Sequence, residues 1–353
     1  MENSLGQGIR EVPGPLLLTG HTGFKGTWMT FLLEHLNVPV IGYSLPPQKD
    51  SLFDRAERTG AIPEVFADIR DYETIEKFID EKKPSTIVHM AAQPLVLKSY
   101  ENPRETFEMN VMGTVNILDI SFKKDFVKAI VVVTTDKVYR NDNSGRAFVE
   151  TDPLGGKDPY SASKVGTEAV VAAWQQISKI SNGPKVVSSR AGNVIGGGDF
   201  AQDRLIPDII RGLISETQIE VRNPEGTRPW QHVLDPLVGY IKVVEASLKG
   251  STLGSVNFGP DATEFSVKNV VEIATTIFPD LNNFLLFKEI SKDSKESEKL
   301  SINSSLGKEK LNWKPRWTSK ESIQLTLKWW KEFIESSADP TLLCSRDIQN
   351  YFS

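Results

Sequence analysis

The sequence predicts an α/β fold, a doubly wound parallel sheet followed by a smaller C-terminal lobe. Three observations predict it. Short apolar runs alternate along the chain with longer stretches of helical periodicity, the pattern of parallel strands joined by crossover helices. The first run, Leu16 to Thr19, leads straight into Gly20-His21-Thr22-Gly23-Phe24-Lys25-Gly26 and then into Trp28, Phe31, Leu32 and Leu36, which recur at helical spacing. Finally, 353 residues, 39% of them hydrophobic, are too many for one small domain. A main Rossmann-type domain over 15–190, to which later segments return, and a lobe over most of 191–353 are expected.

Taken in order, the first fourteen residues read as a loose leader. The first strand is Pro15 to Thr19. In the loop after it, Gly20, Gly23 and Gly26 permit a tight turn and close approach of backbone to a dinucleotide's pyrophosphate, whose charge sits at the following helix N-terminus. Thr22, Phe24 and Lys25 belong to the same loop. A second strand, Val38 to Tyr43, ends at Ser44-Leu45-Pro46-Pro47. No acid stands there for a ribose hydroxyl and no arginine for a ribose phosphate, which leaves NAD and NADP both open. Val65 to Ala67 is a short strand ending at Asp68-Ile69. Thr86 to Met90 is a buried strand ending at Ala91-Ala92-Gln93. Ligands lie at the carboxyl ends of strands in such sheets, so these five residues are candidate cofactor contacts. Asp68 also reads as a cap for the helix after it.

The central strand, Ile130 to Val133, ends at Thr134-Thr135-Asp136-Lys137. After a loop come Tyr160 and Lys164, four apart and on one face if the segment is helical. A lysine ammonium beside a phenol lowers its pKa and makes a base able to take a proton from an alcohol. A further strand, Val186 to Arg190, is followed by Asn193. Leu205 to Ile214 reads as an amphipathic helix. Arg204, Arg222 and Arg228 lie within a short span and suit a diphosphate, for which guanidinium has the matching fork. Trp329-Trp330, on a helix from Glu321 to Ile334, reads as packing. The stretch Ile290 to Lys299 reads as an exposed loop or short helix, and the chain after Ser336 yields no assignment.

Composition narrows the function further. The net charge is −5 and no basic block invites nucleic acid or a membrane surface. No apolar run is long enough to span a bilayer, and Met1 to Gln7 lack a signal pattern. The single cysteine, Cys344, excludes internal disulfides and a cysteine metal site; four histidines show no ligand spacing. A soluble cytoplasmic protein without a metal is expected.

Together, Gly20 to Gly26, Asp68, Ala91-Ala92, Thr135-Asp136-Lys137 and Tyr160-x-x-x-Lys164 resemble the extended short-chain dehydrogenase/reductase family. Four further runs resemble its CDP-glucose 4,6-dehydratase branch: His89 to Val96, Asn110 to Thr114, Arg190 to Asp199 and Arg228 to Val233. The resemblance implies NAD as cofactor, a nucleoside diphosphate hexose as substrate with CDP-D-glucose the best guess, and dehydration to the 4-keto-6-deoxy sugar. It implies Tyr160 as base at the sugar 4-hydroxyl, Thr135 bonding that hydroxyl and Lys164 holding the phenolate and the nicotinamide ribose. Asp136 as acid and Lys137 as base would then remove water. Asn193, Arg204, Arg222 and Arg228 are the candidate substrate contacts. Thr135 and Arg140 depart from the Ser and the acid usual at those places, and Asp142 to Phe148 also differs. A homodimer packed through the helices at 110–122 and 161–177 is implied. The alternatives are a dehydratase of UDP-N-acetyl sugars, which also uses an Asp-Lys pair, a nucleotide-sugar 4-epimerase, which needs neither, and a non-enzymatic NAD(P) sensor, which need not keep Tyr160 and Lys164.

Overall fold

The structure is a computed structural model and describes residues 4–261, 265–288 and 300–353. Helix α1 (Gln7–Arg10) leads into β1 (Leu16–Thr19), α2 (Phe24–His35), β2 (Val40–Ser44), α3 (Leu52–Arg55), β3 (Glu64–Phe66), α4 (Tyr72–Lys82) and β4 (Thr86–His89). Next come α5 (Val96–Glu101), α6 (Pro103–Phe107), a π-helical turn at Glu108–Met112, α7 (Gly113–Phe122) and β5 (Ala129–Thr135). The long α8 (Pro159–Ser181) is followed by β6 (Lys185–Ala191), β7 (Val194–Ile195), α9 (Leu205–Ser215), β8 (Ile219–Arg222) and β9 (Gln231–His232). The chain closes with α10 (Leu234–Leu248), β10 (Ser255–Phe258), α11 (Val267–Ile277), β11 (Leu285–Lys288), α12 (Ser305–Leu311), α13 (Ser319–Ser336) and α14 (Pro340–Phe352).

Among the described residues, the central sheet has seven parallel strands in the order β10-β6-β5-β4-β1-β2-β3. The order reverses between β1 and β4, which opens a crevice at their carboxyl ends. Strand residues alternate between two cores. Leu16, Leu18, Val131 and Val133 enter the core shared with α2, α10, α13 and α14, whereas Leu17, Ile130 and Val132 enter the core under α4, α7 and α8. Both faces are covered, so β1 and β5 are apolar on every position that packs, rather than alternating with solvent.

Away from this sheet, β7 pairs with β9 and β8 with β11, each in parallel. β10 and α10 return to the central sheet after this excursion. The expected leader is corrected: Leu5 and Ile9 are buried, and Glu245 of α10 accepts the Gly8 amide at 3.2 Å. Two apolar side chains in an otherwise polar segment carried no periodicity to reveal them. The unassigned chain after Ser336 forms α14, whose Leu343, Cys344 and Ile348 are buried in the α2 core. The expectation for Ile290 to Lys299 lies outside the described residues. No helix among the described residues is long and apolar enough to cross a membrane.

Candidate active site

The start of α8 is fixed by local chemistry. Asp158 accepts the Ser161 amide at 2.9 Å, the Ser161 hydroxyl answers the Asp158 amide, and Pro159 occupies the first helical position. This box sets Tyr160 in the first turn and Lys164 one turn on, both buried. The Lys164 ammonium donates to the Val133 carbonyl at 3.2 Å. Burial lowers it to about 8, with Glu168 acting in the opposite sense.

Facing α8, β5 delivers Thr135, Asp136 and Lys137. Thr135 accepts the Lys137 amide at 3.3 Å and donates to Asp136 Oδ1 at 3.0 Å. Thr135 also hydrogen-bonds Tyr160. Asp136 is buried, its Oδ2 without a hydrogen-bond partner, and burial raises it to about 6 against the pull of Lys137. An added Cβ on Gly192 would come within 3.2 Å of that oxygen and within 2.5 Å of Pro229, so only a glycine leaves the space beside it. The lowered phenol expected at Tyr160 is not what the protein holds. Burial raises Tyr160 to about 12, because Lys164 directs its ammonium to a backbone carbonyl and Thr135 alone hydrogen-bonds the phenol's charged form.

The glycine loop fits a dinucleotide. Gly20 has a φ of 75°, and a Cβ there would meet the Ala91 amide at 2.7 Å; one on Gly26 would meet the Gly20 carbonyl at 2.1 Å. Both clashes are with backbone, so only glycine leaves the space at the α2 N-terminus. Thr22 bonds Ser44 Oγ at 2.8 Å and donates to the Leu45 carbonyl, tying the loop to the end of β2. Ala91 and Met90 amides donate to Thr19 Oγ1, which brings the β4 end beside β1. Ala92 and Ile69 stand at the β4 and β3 ends, and Gly113 packs on Ile69. Asp68 does not cap α4; Asp71 does, and Asp68 instead binds the Arg70 guanidinium at 2.6 Å. The Gln93 amide is engaged within the protein, with Leu95 and Thr106, and its backbone amide donates to Asn110.

Lys25 was expected only as part of that loop. Its side chain turns to the catalytic cluster and stands 5.8 Å from the centre of the Tyr240 ring. Burial lowers it to about 7, with Lys164 and Arg204 adding to the effect. Tyr240, whose hydroxyl is buried and unpartnered, was missed by the sequence; the only sign was a phenol in the apolar α10.

The candidate substrate groups divide. Arg204 precedes α9, pairs with Asp199 at 2.7 Å and feels Tyr160. Arg228 is buried and its charge reaches Asp136. Asn193 lies between β6 and β7 and its carbonyl accepts the Gln231 amide. Arg222, at the end of β8, is exposed and faces Asp203, the neighbour of Arg204 in sequence, at 3.9 Å. Trp313 donates to the Asp235 carbonyl and is buried with Phe258, and Trp329 and Trp330 are buried together.

A seven-stranded doubly wound sheet with a glycine loop, a Thr and a Tyr-x-x-x-Lys at its crevice defines a dinucleotide-binding protein of the short-chain dehydrogenase/reductase type. Within that class the chain belongs to the GDP-mannose 4,6 dehydratase family, whose model matches residues 17–326. It is 40% identical to the CDP-glucose 4,6-dehydratase of Salmonella typhimurium (strain LT2), over 96% of each chain. It is 24% identical to a dTDP-glucose 4,6-dehydratase of Haemophilus influenzae, covering 89% of this chain and 97% of that one. Among solved structures, a dTDP-glucose 4,6-dehydratase of Streptomyces venezuelae with NAD and TYD bound has the same fold, with a TM-score of 0.79, 22% identity and coverage of 93% and 99%. A UDP-glucose 4-epimerase of Thermotoga maritima shares it too, with a TM-score of 0.77, 19% identity and coverage of 91% and 100%.

Proposed function

We propose that this chain is an NAD-dependent nucleotide-sugar 4,6-dehydratase, with CDP-D-glucose as its substrate. The observation that carries the reading is the juxtaposition at one crevice of Thr135 and Tyr160 with the adjacent Asp136 and Lys137. The first pair suits oxidation of an alcohol. The second is an acid and a base that an epimerase has no use for. The 40% identity to a CDP-glucose 4,6-dehydratase supports the nucleotide.

NAD would be held at the glycine loop by Gly20, Gly23, Gly26 and the α2 N-terminus, and would supply the hydride acceptor for sugar carbon 4 and the hydride donor for carbon 6. Thr135 orients the 4-hydroxyl and Tyr160 takes its proton. Tyr160 acts as the phenolate, so its own proton, held tightly here by burial, must leave first; positive charge at Lys164 and at a bound nicotinamide would favour that loss. The ketone at carbon 4 then acidifies the carbon 5 proton. Lys137 removes that proton and Asp136, buried and raised to about 6, gives one to the departing 6-hydroxyl. Water leaves, a proton returns to carbon 5, and the hydride would return to carbon 6, so that cofactor is not consumed. Arg204 and Arg228 supply the cations for the diphosphate. A homodimer in the cytoplasm belongs to the same proposal.

Proton NMR of the protein with CDP-glucose and NAD in heavy water tests this. The expected outcome is a new methyl signal at carbon 6 with deuterium at carbon 5. Inversion at carbon 4 without a methyl would make the chain an epimerase. Turnover of UDP, GDP or dTDP sugars alone would correct the nucleotide. Cofactor binding without any turnover would make it a sensor.

A further inference from the structure

Glu168 stands one turn beyond Lys164 on α8, buried, and takes no part in the chemistry above. Each of its oxygens accepts two hydrogen bonds. Oε1 receives the Thr134 hydroxyl at 2.5 Å and Arg190 Nε at 2.9 Å; Oε2 receives the Ser188 hydroxyl at 2.8 Å and Arg190 Nη2 at 2.7 Å. Four donors on one buried carboxylate saturate it and fix it in place.

The donors are not arbitrary. Thr134 immediately precedes Thr135, and Arg190 is its neighbour in the β5–β6 register. The other Arg190 nitrogen, Nη1, donates to the Tyr139 hydroxyl at 2.9 Å and to the Glu150 carbonyl at 3.0 Å. Tyr139 in turn donates to Asn257 of β10 at 2.7 Å. The carboxylate is thus the hub joining α8 to the strand end that bears Thr135, Asp136 and Lys137, and to the loop from Tyr139 to Glu150 beside it.

We propose that Glu168 is a positioning residue for the reaction: it fixes the β5 end through Thr134 and keeps a negative charge beneath the Lys164 ammonium. The inference rests on the dehydratase reading. A purely structural carboxylate could be replaced by its amide at the cost of stability alone. Here the charge also matters, because a like-sized neutral group changes the field at Lys164. The other titratable groups whose charge meets that of Lys164 are Lys25 from α2 and His89 from β4. Glu168 is the carboxylate that acts on it. Losing that negative charge lowers the proton affinity of Lys164, so the limb of a bell-shaped profile on which its ammonium is lost moves to lower pH.

The test measures the pH dependence of CDP-glucose turnover in wild type, Glu168→Gln, Glu168→Asp and Glu168→Gln/Arg190→Gln. Glu168→Gln leaves Arg190 buried without its charge partner, which destabilises the fold; the double variant avoids this by removing both charges. Removing the contacting guanidinium with the carboxylate offsets part of the effect, so the double variant shifts in the same direction by less. The expected result is an alkaline limb moved down by about one pH unit in Glu168→Gln, by less in the double variant, and unmoved in Glu168→Asp. A folded Gln variant with slower turnover or a lower Tm but wild-type limbs overturns the proposal. An inert wild type would instead overturn the dehydratase reading.

Discussion

At the scale of single residues, the proposed catalytic set could be named from the sequence because its members need particular side chains at fixed spacing. Tyr160 and Lys164 announce themselves by four, and Thr135-Asp136-Lys137 by lying at a strand end. The proton affinities were not legible, since they depend on how deeply each group is buried. Asp136 must be protonated to act as acid. Its value of about 6 means the competent fraction falls as pH rises above that, so the water-loss step is expected to slow on the alkaline side. Asp136→Asn should slow that step by about 100-fold or more while sparing carbon 4 oxidation, read as transient NADH absorbance. Lys137→Met should likewise oxidise carbon 4 yet release no 6-deoxy product; full dehydration by that variant would remove Lys137 from its role. Tyr240 was invisible to spacing because a phenol in an apolar helix reads as packing.

At the scale of elements, the glycine loop, strands and crossover helices were read in their right places, though β2 runs Val40–Ser44 rather than starting at Val38. What escaped was the tail. Helix α14 follows an Asp339 cap and a Pro340 start, and its inward face is apolar only at intervals. Asp235, at the start of α10, anchors it. Its Oδ1 accepts the Arg316 amide at 2.7 Å and the Tyr351 hydroxyl at 3.0 Å, while Oδ2 is orphaned. Burial raises Asp235 to about 7. A folded-state value above the unfolded one contributes stability that is present below about pH 4 and lost as pH climbs through about 7. Asp235→Asn offers the same oxygen without the charge and gives the orphaned position a donor. Its stability relative to wild type should therefore improve by roughly 2 kcal/mol between mildly acidic and alkaline buffer, read from denaturant melts.

At the scale of the whole molecule, two cores on either side of one sheet were foreseeable from the continuous apolar runs of β1 and β5. The path of the chain between them was not, because β10, α10, α13 and α14 rejoin the sheet from far along the sequence. Assembly was expected through α7 and α8. On that side Leu97, Tyr100, Phe107 and Met112 are exposed, as is Ile180 at the far end of α8. Met112→Glu should convert a dimer to a monomer in light scattering; an unchanged mass would place the contact elsewhere. Helix α14 packs against α2, the helix whose first turn carries the glycine loop. During synthesis that helix emerges near the beginning and its cover near residue 351. The nascent chain therefore presents an uncovered apolar helix to its surroundings while more than three hundred residues are still being added, so chaperone occupancy of α2 on the ribosome should end only when α14 arrives.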